Sequence, residues 1–239
     1  MQLNDFYKYS TYKKEYTTQD RVPFFALALK YCQSLHKADP VIADIGSGEG
    51  DFYYYLTQNN FSTKQLFLLD SNLKTVENNK AGLTENSLAY VAPNKLPFED
   101  KSVDIVHTSH LIEYLSPGEM YSLMQEMDRV LIAGGYLIIS APLIWDNFYN
   151  DLGHLRPYNP LTFHKYFVSL FRNNRLDKVS SSYEMKELVY RYHQLPLDEG
   201  WSSSVPVIDF IMTGIKRVLG KLGIRKLGKN GYTLVLLKK

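Results

Sequence analysis

The ten residues Val41–Gly50, VIADIGSGEG, restrict this chain more than any other stretch. Val41 to Ile45 read as a short buried strand, with an acid at its fourth position. Three glycines follow at alternate positions, Gly46, Gly48 and Gly50. Glycine reaches backbone conformations closed to other residues and lets a ligand lie against the main chain. Gly50 to Gln58 then reads as a helix. The same strand-then-helix order repeats downstream. Lys64–Leu69 is a strand stopped by Asp70, and Ser71–Lys80 is a helix. Val103–His107 is a strand, and a Ser116–Glu119 capping box with Pro117 at the first helical position opens another helix. Its Met120, Leu123, Met124, Met127, Val130 and Leu131 fall on one face, with Gly134-Gly135 expected to end it. Tyr136–Ser140 is the next strand. Asn159-Pro160 starts a helix to about Phe171, Leu176–Tyr183 forms a strand, and Tyr232–Lys238 is the last. Near the start, residues 21–37 read as a helix capped by Asp20, with Pro23 in its first turn. Strands alternating with helices predict an α/β fold, a parallel sheet covered on both faces.

The 239 residues are 45% hydrophobic, enough for one good core. A net charge of +2 gives no global electrostatic pull on nucleic acid. The single cysteine, Cys32, excludes an internal disulfide and a cysteine-based metal site, and fits a reducing, cytoplasmic setting. No metal is expected. The polar N-terminal stretch has no apolar segment of the signal-peptide kind, and no run is long and apolar enough to span a membrane.

Three ligands compete for DIGSGEG. A phosphate-binding loop needs Lys-Ser/Thr after its last glycine, which is missing. A dinucleotide loop wants a glycine where Asp51 stands, and Asp44 adds a second negative charge beside any pyrophosphate. An adenosine ligand without phosphates and with a positive charge fits better. Asp44 can face an ammonium group, and Asp70, twenty residues after Gly50, can accept hydrogen bonds from both ribose hydroxyls.

At this point the chain resembles the class I S-adenosylmethionine (SAM)-dependent methyltransferases, whose D/E-x-G-x-G-x-G pattern Asp44, Gly46, Gly48 and Gly50 match. The likeness covers residues 41–140. Leu96-Pro97-Phe98 followed by Ser102-Val103-Asp104, the His110–Leu115 stretch, and Arg129-Val130-Leu131 before Gly134-Gly135 are similar to family segments in the same order. The resemblance implies a Rossmann-like, seven-stranded mixed sheet whose last strand is antiparallel, with SAM as methyl donor. It implies one domain: a helical cap over 1–38, a SAM-binding core over 39–185, an amphipathic insertion over 186–230 and a final strand over 231–239. Ser47, Ser71 and Thr108 join the cofactor residues on this reading. Ala92 stands where the family often has an acid for the adenine amino group, and a backbone amide or Asn94 is the substitute.

The acceptor should sit over the carboxyl ends of the strands. His110, past the fourth strand, and His154, in Gly153–Pro160 (GHLRPYNP), are the candidate catalytic bases. Arg156, Tyr158 and Asp146 are candidate acceptor contacts, with Arg156 suited to a carboxylate or phosphate. Tyr7, Tyr9, Tyr12 and Tyr16 form either a lid or a packed N-terminal element. GHLRPYNP resembles a segment of glycan and quinone methyltransferases. Residues 205–229 form an apolar helical stripe with basic flanks and one acid, Asp209, suited to an anionic membrane surface, a lipid-linked substrate, the rest of the domain or a second copy. Together they point to O-methylation of a saccharide or lipid-linked glycan in bacterial surface polysaccharide biosynthesis, with the protein in the cytoplasm or peripheral to the inner membrane. The rivals are a quinone or aromatic methyltransferase and a SAM-binding scaffold without catalysis. Nucleic acid is not expected as a partner.

Overall fold

The computed structural model of the chain describes residues 10–11, 16–17, 20–168, 177–195, 197 and 203–239. One sheet runs through it. In chain order its strands are β1 (Ser10–Thr11), β2 (Ile42–Ile45), β3 (Leu66–Asp70), β4 (Ser87–Ala89), β5 (Val103–Ser109), β6 (Leu131–Pro142), β7 (Tyr183–Leu195) and β8 (Lys226–Lys238). Across the sheet they lie in the order β1-β7-β8-β6-β5-β2-β3-β4. β2 through β6 are parallel neighbours, and β8 runs antiparallel to both β6 and β7. This is the seven-stranded mixed sheet with its last strand antiparallel, widened by the two-residue β1 against β7. The chain winds outward from β2 in one direction, then returns to β5 and winds in the other. The connections leaving the carboxyl ends of β2 and β5 therefore run in opposite directions, leaving the crevice in which α/β sheets place ligands.

The helices are α1 (Val22–Ser34), α2 (Asp51–Gln58), α3 (Leu73–Gly82), α4 (Pro117–Val130), α5 (Pro160–Phe163) and α6 (Pro206–Lys221). The period-two alternation of the strands divides the core in two. Ala43, Ile45, Leu137, Ile139, Leu234 and Leu236 enter one half, where Met120, Leu123, Met124 and Met127 of α4 cover them. Ile42, Ile138 and Val235 enter the other, under Phe24, Phe25 and Leu27 of α1 and Phe52 and Leu56 of α2. The α4 capping box is formed, with Ser116 Oγ and the Glu119 carboxylate each accepting a backbone N–H.

Several boundaries differ from the sequence expectation. α1 ends at Ser34, with the left-handed His36 just beyond it. α4 ends at Val130 and not at the glycine pair, because Leu131 is already extended and pairs with Val103. The strand expected over 176–183 begins at Tyr183 and runs to Leu195; Leu176 lies outside the described residues. Charged residues at 184, 186, 187 and 191 hid this strand, yet Met185, Leu188, Val189 and Tyr190 are buried. β8 begins at Lys226, so the segment between the last two strands is 196–225 and not 186–230. α5 passes into a wider helical turn over His164–Val168, and residues 169–176 lie outside the described set. Of the N-terminal tyrosines, Tyr7, Tyr9 and Tyr12 lie outside it too. Tyr16 is buried against Phe24 and donates to the Pro23 carbonyl, so it packs on α1.

Arg129 on α4 fastens the Leu96–Asp100 stretch to the sheet. Its guanidinium donates to the carbonyls of Leu96 and Phe98 and to the carboxylates of Asp100 and Glu126. Glu126 accepts from Arg129 at 2.6 and 2.8 Å and from the Leu96 N–H at 2.8 Å. The Arg129 hydrogen bonds outweigh partial desolvation and hold the Glu126 carboxyl below its usual range. A depressed carboxyl contributes stability above the unfolded-state value, about 4.3, and loses it as pH falls through the lower folded value. Glu126→Gln should therefore lower the urea midpoint at neutral pH and flatten its decline in acid. Parallel declines in the two proteins would show that the pairing contributes nothing.

Candidate active site

A cleft of about 790 Å³ opens at the carboxyl ends of β2 and β5, where their connections separate. Such a volume accommodates a nucleoside-sized ligand. Its floor is the loop between β2 and α2. Gly46 N–H and Ser47 N–H donate to the Leu69 carbonyl, and Gly48 N–H donates to Asp70 Oδ2 at 2.9 Å. Asp70 Oδ1 accepts from the Asn72 N–H at 2.9 Å, so both carboxylate oxygens are fixed at the end of β3. Asn79 of α3 donates to the Gly48 carbonyl from below. Gly50 caps α2 in the left-handed region, with φ 82°, and a Cβ there would lie 2.4 Å from Leu83. Gly48, φ 53°, has no heavy atom within 4 Å of where its Cβ would be, so bare main chain floors the cleft.

Asp44 is 2% exposed and lines the cleft. Its Oδ1 lies 2.7 Å from His107 Nδ1, on the neighbouring strand at the same register. The His107 ring stacks on Phe52 of α2, centroids 4.1 Å apart. Four acids line the cleft, Asp44, Glu49, Asp51 and Asp70. Of these, Asp51 has an ion pair to Arg21, a loose one at 3.5 Å between exposed groups. This lining repels a pyrophosphate and suits a cation. The side-chain oxygen of Ser47 is buried at the floor without a protein partner among the described residues, a hydroxyl placed to meet a bound molecule. These features fit S-adenosylmethionine: carboxylates for its ammonium and sulfonium charges, Asp70 for vicinal hydroxyls, and a glycine floor for a flat adenosine.

Two histidines line the opposite wall, and their partners set their tautomers. His110 has φ 57°, a strained conformation held by its N–H on the Ser140 carbonyl. Its Nδ1 lies 3.1 Å from buried Glu113 and its Nε2 3.4 Å from Arg191 Nη1. With Nδ1 donating to the carboxylate, the Nε2 lone pair is taken by the guanidinium. His154 Nδ1 lies 2.7 Å from the Phe148 carbonyl, to which it can only donate. Its Nε2 therefore carries the lone pair, and Asp151 Oδ2, at 3.8 Å, is beyond hydrogen-bond reach. Tyr114 stands beside it, ring edge to ring, and donates to Asp151. Burial first, then Asp151, push the Tyr114 hydroxyl up to about 12, so it remains a phenol at neutral pH.

Comparison with known proteins bears on the fold and its cofactor. A methyltransferase domain family model matches residues 43–139, from inside β2 to inside β6. The matched stretch and the sheet around it have the class I methyltransferase fold. It is 27% identical over 110 residues to the sarcosine/dimethylglycine N-methyltransferase of Aphanothece halophytica, a match spanning 44% of this chain and 39% of that protein. A SAM-dependent methyltransferase from Archaeoglobus fulgidus has a similar structure, with TM-score 0.58, 19% identity and 94% and 97% of the two chains covered. A geranyl diphosphate C-methyltransferase from Streptomyces coelicolor, solved with Mg²⁺, geranyl diphosphate and S-adenosyl-L-homocysteine, gives TM-score 0.52 and 13% identity over 90% of this chain and 78% of that one. These likenesses establish the fold.

The cleft gathers most of the residues read from sequence: Asp44, Gly46, Ser47, Gly48, Asp70, Ser71, His110 and His154. Gly50 acts from behind, shaping the loop against Leu83. Five candidates fall elsewhere. Thr108 is buried inside β5, with its hydroxyl among packed neighbours. Asn94 is exposed outside the cleft lining, and its carbonyl accepts from Tyr90. Asp146 is exposed and lines no cavity found with the cleft residues. Tyr158 is buried, donating to the Leu115 carbonyl while its own carbonyl accepts from Tyr232. Arg156 turns away from His154 and lies over the Tyr158 ring at 5.4 Å, beside a separate 200 Å³ cavity. Sequence reasoning missed Arg21, Phe25, Phe52, His107 and Tyr114. His107 alone left a signal, a histidine in a buried strand level with Asp44. Among the described residues no cluster of His, Cys, Asp and Glu is arranged to hold a metal ion.

Asp70→Ala should weaken SAM binding at least about 100-fold by calorimetry, the scale of two hydrogen bonds to a charged acceptor. Gly50→Ala should lower the melting temperature as well as the affinity, because the new Cβ meets Leu83. Unchanged affinity in both variants would refute the assigned pocket.

Proposed function

We propose that the protein transfers a methyl group from SAM to a small-molecule acceptor bound on the histidine side of the cleft. The observation that supports this above the others is the acid-lined, glycine-floored cleft at the strand switch point, which suits a cationic adenosine ligand. When bound, SAM supplies an electrophilic methyl group on a good, neutral leaving group. The chain's part is alignment and proton removal. The loop 46–50 and Asp70 hold the adenosine. Asp44, kept in place by His107, meets the positive end. Phe25, Leu111 and Tyr114 line the cleft and restrict how an acceptor enters it.

The acceptor atom we assign is oxygen. A hydroxyl attacking the methyl carbon gives up a proton as the carbon–sulfur bond breaks, and a positioned base accelerates that step about 10²–10⁴-fold. His154 Nε2 is the available base, since the Phe148 carbonyl fixes the tautomer. His110 is poorly suited, because protonating Nε2 would set it against Arg191. A saccharide or lipid-linked glycan hydroxyl is the acceptor class that extends this reading, and a lipid-linked glycan would be met at a membrane surface through the 205–229 segment. Amine methylation is the second reading, favoured by the likeness to the Aphanothece enzyme. A neutral amine needs no base during attack.

His154→Ala should lower kcat on a hydroxyl acceptor by 10²-fold or more, on the order expected for a lost general base, and leave SAM affinity unchanged. A panel of oligosaccharides, nucleotide sugars, quinone precursors and sarcosine-type amines, read by S-adenosylhomocysteine release, decides the acceptor. An amine substrate with kcat indifferent to His154→Ala would overturn the oxygen assignment. SAM binding with no turnover on any acceptor would favour a scaffold.

A further inference from the structure

The C-terminal part of the chain carries a surface that the cofactor cleft does not use. α6 has no buried residue. Val207, Ile208, Ile211, Ile215, Val218 and Leu222 are 48–71% exposed and lie along one stripe at helical spacing. Along one side of this stripe Leu197, Met212, Ile215, Leu219 and the stems of Lys216 and Lys226 line an open apolar pocket of about 410 Å³. Segment 205–229 holds Lys216, Arg217, Lys221, Arg225, Lys226 and Lys229 against one acid, Asp209. That acid is engaged at the helix start, accepting the Ser203 N–H at 3.0 Å. On a helical projection Lys221 borders the stripe, and Lys216 and Arg217 lie farther round the helix on either side.

The position of α6 gives this surface its meaning. β7 leaves the sheet in the same direction as β2 and β5, toward the edge where the cleft opens. β6 ends its pairing at Pro142, opposite Gly231, but β7 and β8 continue together to Leu195 and Lys226. This two-stranded ribbon reaches roughly 15 Å past the sheet at the usual rise per residue. α6 is carried at its tip, so the basic apolar helix and the cleft mouth share one edge of the molecule.

We infer that α6 is an interfacial anchor, lying in the plane of an anionic bilayer with its stripe at the headgroup–acyl boundary and its cations on the phosphates. Among the described residues no helix is long and apolar enough to cross a membrane, so the helix lies on the surface. Charge complementarity selects this occupant. A second copy docking isologously would set one basic rim against another, whereas anionic lipid neutralises both flanks. Docking turns the cleft edge toward the bilayer and delivers acceptors held there. This deepens the proposed function and rests on it only for the identity of the acceptor.

Co-sedimentation of the full chain with vesicles of phosphatidylcholine alone, or containing one part in three phosphatidylglycerol, tests the anchor. We expect partitioning onto the anionic vesicles at least tenfold stronger, falling as salt screens the charges. Arg217→Glu/Lys221→Glu/Lys226→Glu should fall to the level of neutral vesicles, and Ile211→Asp/Ile215→Asp should lose binding to both. Each variant should keep its SAM affinity within twofold, which shows that it is folded and separates this inference from the methyltransferase reading. Protein that stays in solution with anionic vesicles, or a charge-reversed variant that binds as well, would overturn it. So would a lipid-free dimer that Ile211→Asp/Ile215→Asp converts to monomer, since a second copy would then be the occupant.

Discussion

The bond between Asp44 and His107 sits where this architecture makes its largest demand. A carboxylate 2% exposed is costly unless a partner offsets its desolvation. The partner comes from β5, the strand on the other side of the switch point, at matched register. The bond thus joins the two halves of the sheet where their connections diverge. Phe52 of α2 stacks on the same imidazole, and Phe25 of α1 lies 6.2 Å away. Two helices and two strands therefore converge on one ring. The glycine loop hangs from this point, and Asp70 steadies its far side.

The remaining wall is organised by a different economy of polar groups. Glu113 is buried, and its carbonyl accepts the N–H groups of Leu155 and Arg156 while its carboxylate meets His110. Arg191, itself buried, bonds Asn230 and reaches His110. The two histidines consequently differ in what they can do, although both line the same cavity. One is fixed between a carboxylate and a guanidinium. The other has one nitrogen tied to a carbonyl and the opposite nitrogen open.

Much of the fold was legible because its signals are local. The strand–glycine–helix unit, the capping box at Ser116 and the apolar face of α4 each depend on neighbours a few residues away. So does the acid at the end of β3. What could not be read depends on pairing between distant segments. β7 carries charged residues that suggest a loop, and only its register against β8 shows the buried alternation. The His107 contact needs the β2–β5 register. His154 and Arg156 stand two residues apart and looked like one site. The chain bends over the Glu113 carbonyl between them, sending one to the cleft and the other to a separate cavity.

The placement of β8 between β6 and β7 has a consequence for how the chain reaches this state. β8 is made last of the strands, yet its two neighbours are already synthesised when it emerges. Until then β7 can pair only with the two residues of β1, and β6 presents an open apolar edge carrying Leu137 and Ile139. An open edge of this kind is a template for pairing with another chain. The sheet is closed by insertion and not by accretion at a border, so its hydrogen-bonded centre is complete only once β8 is in place.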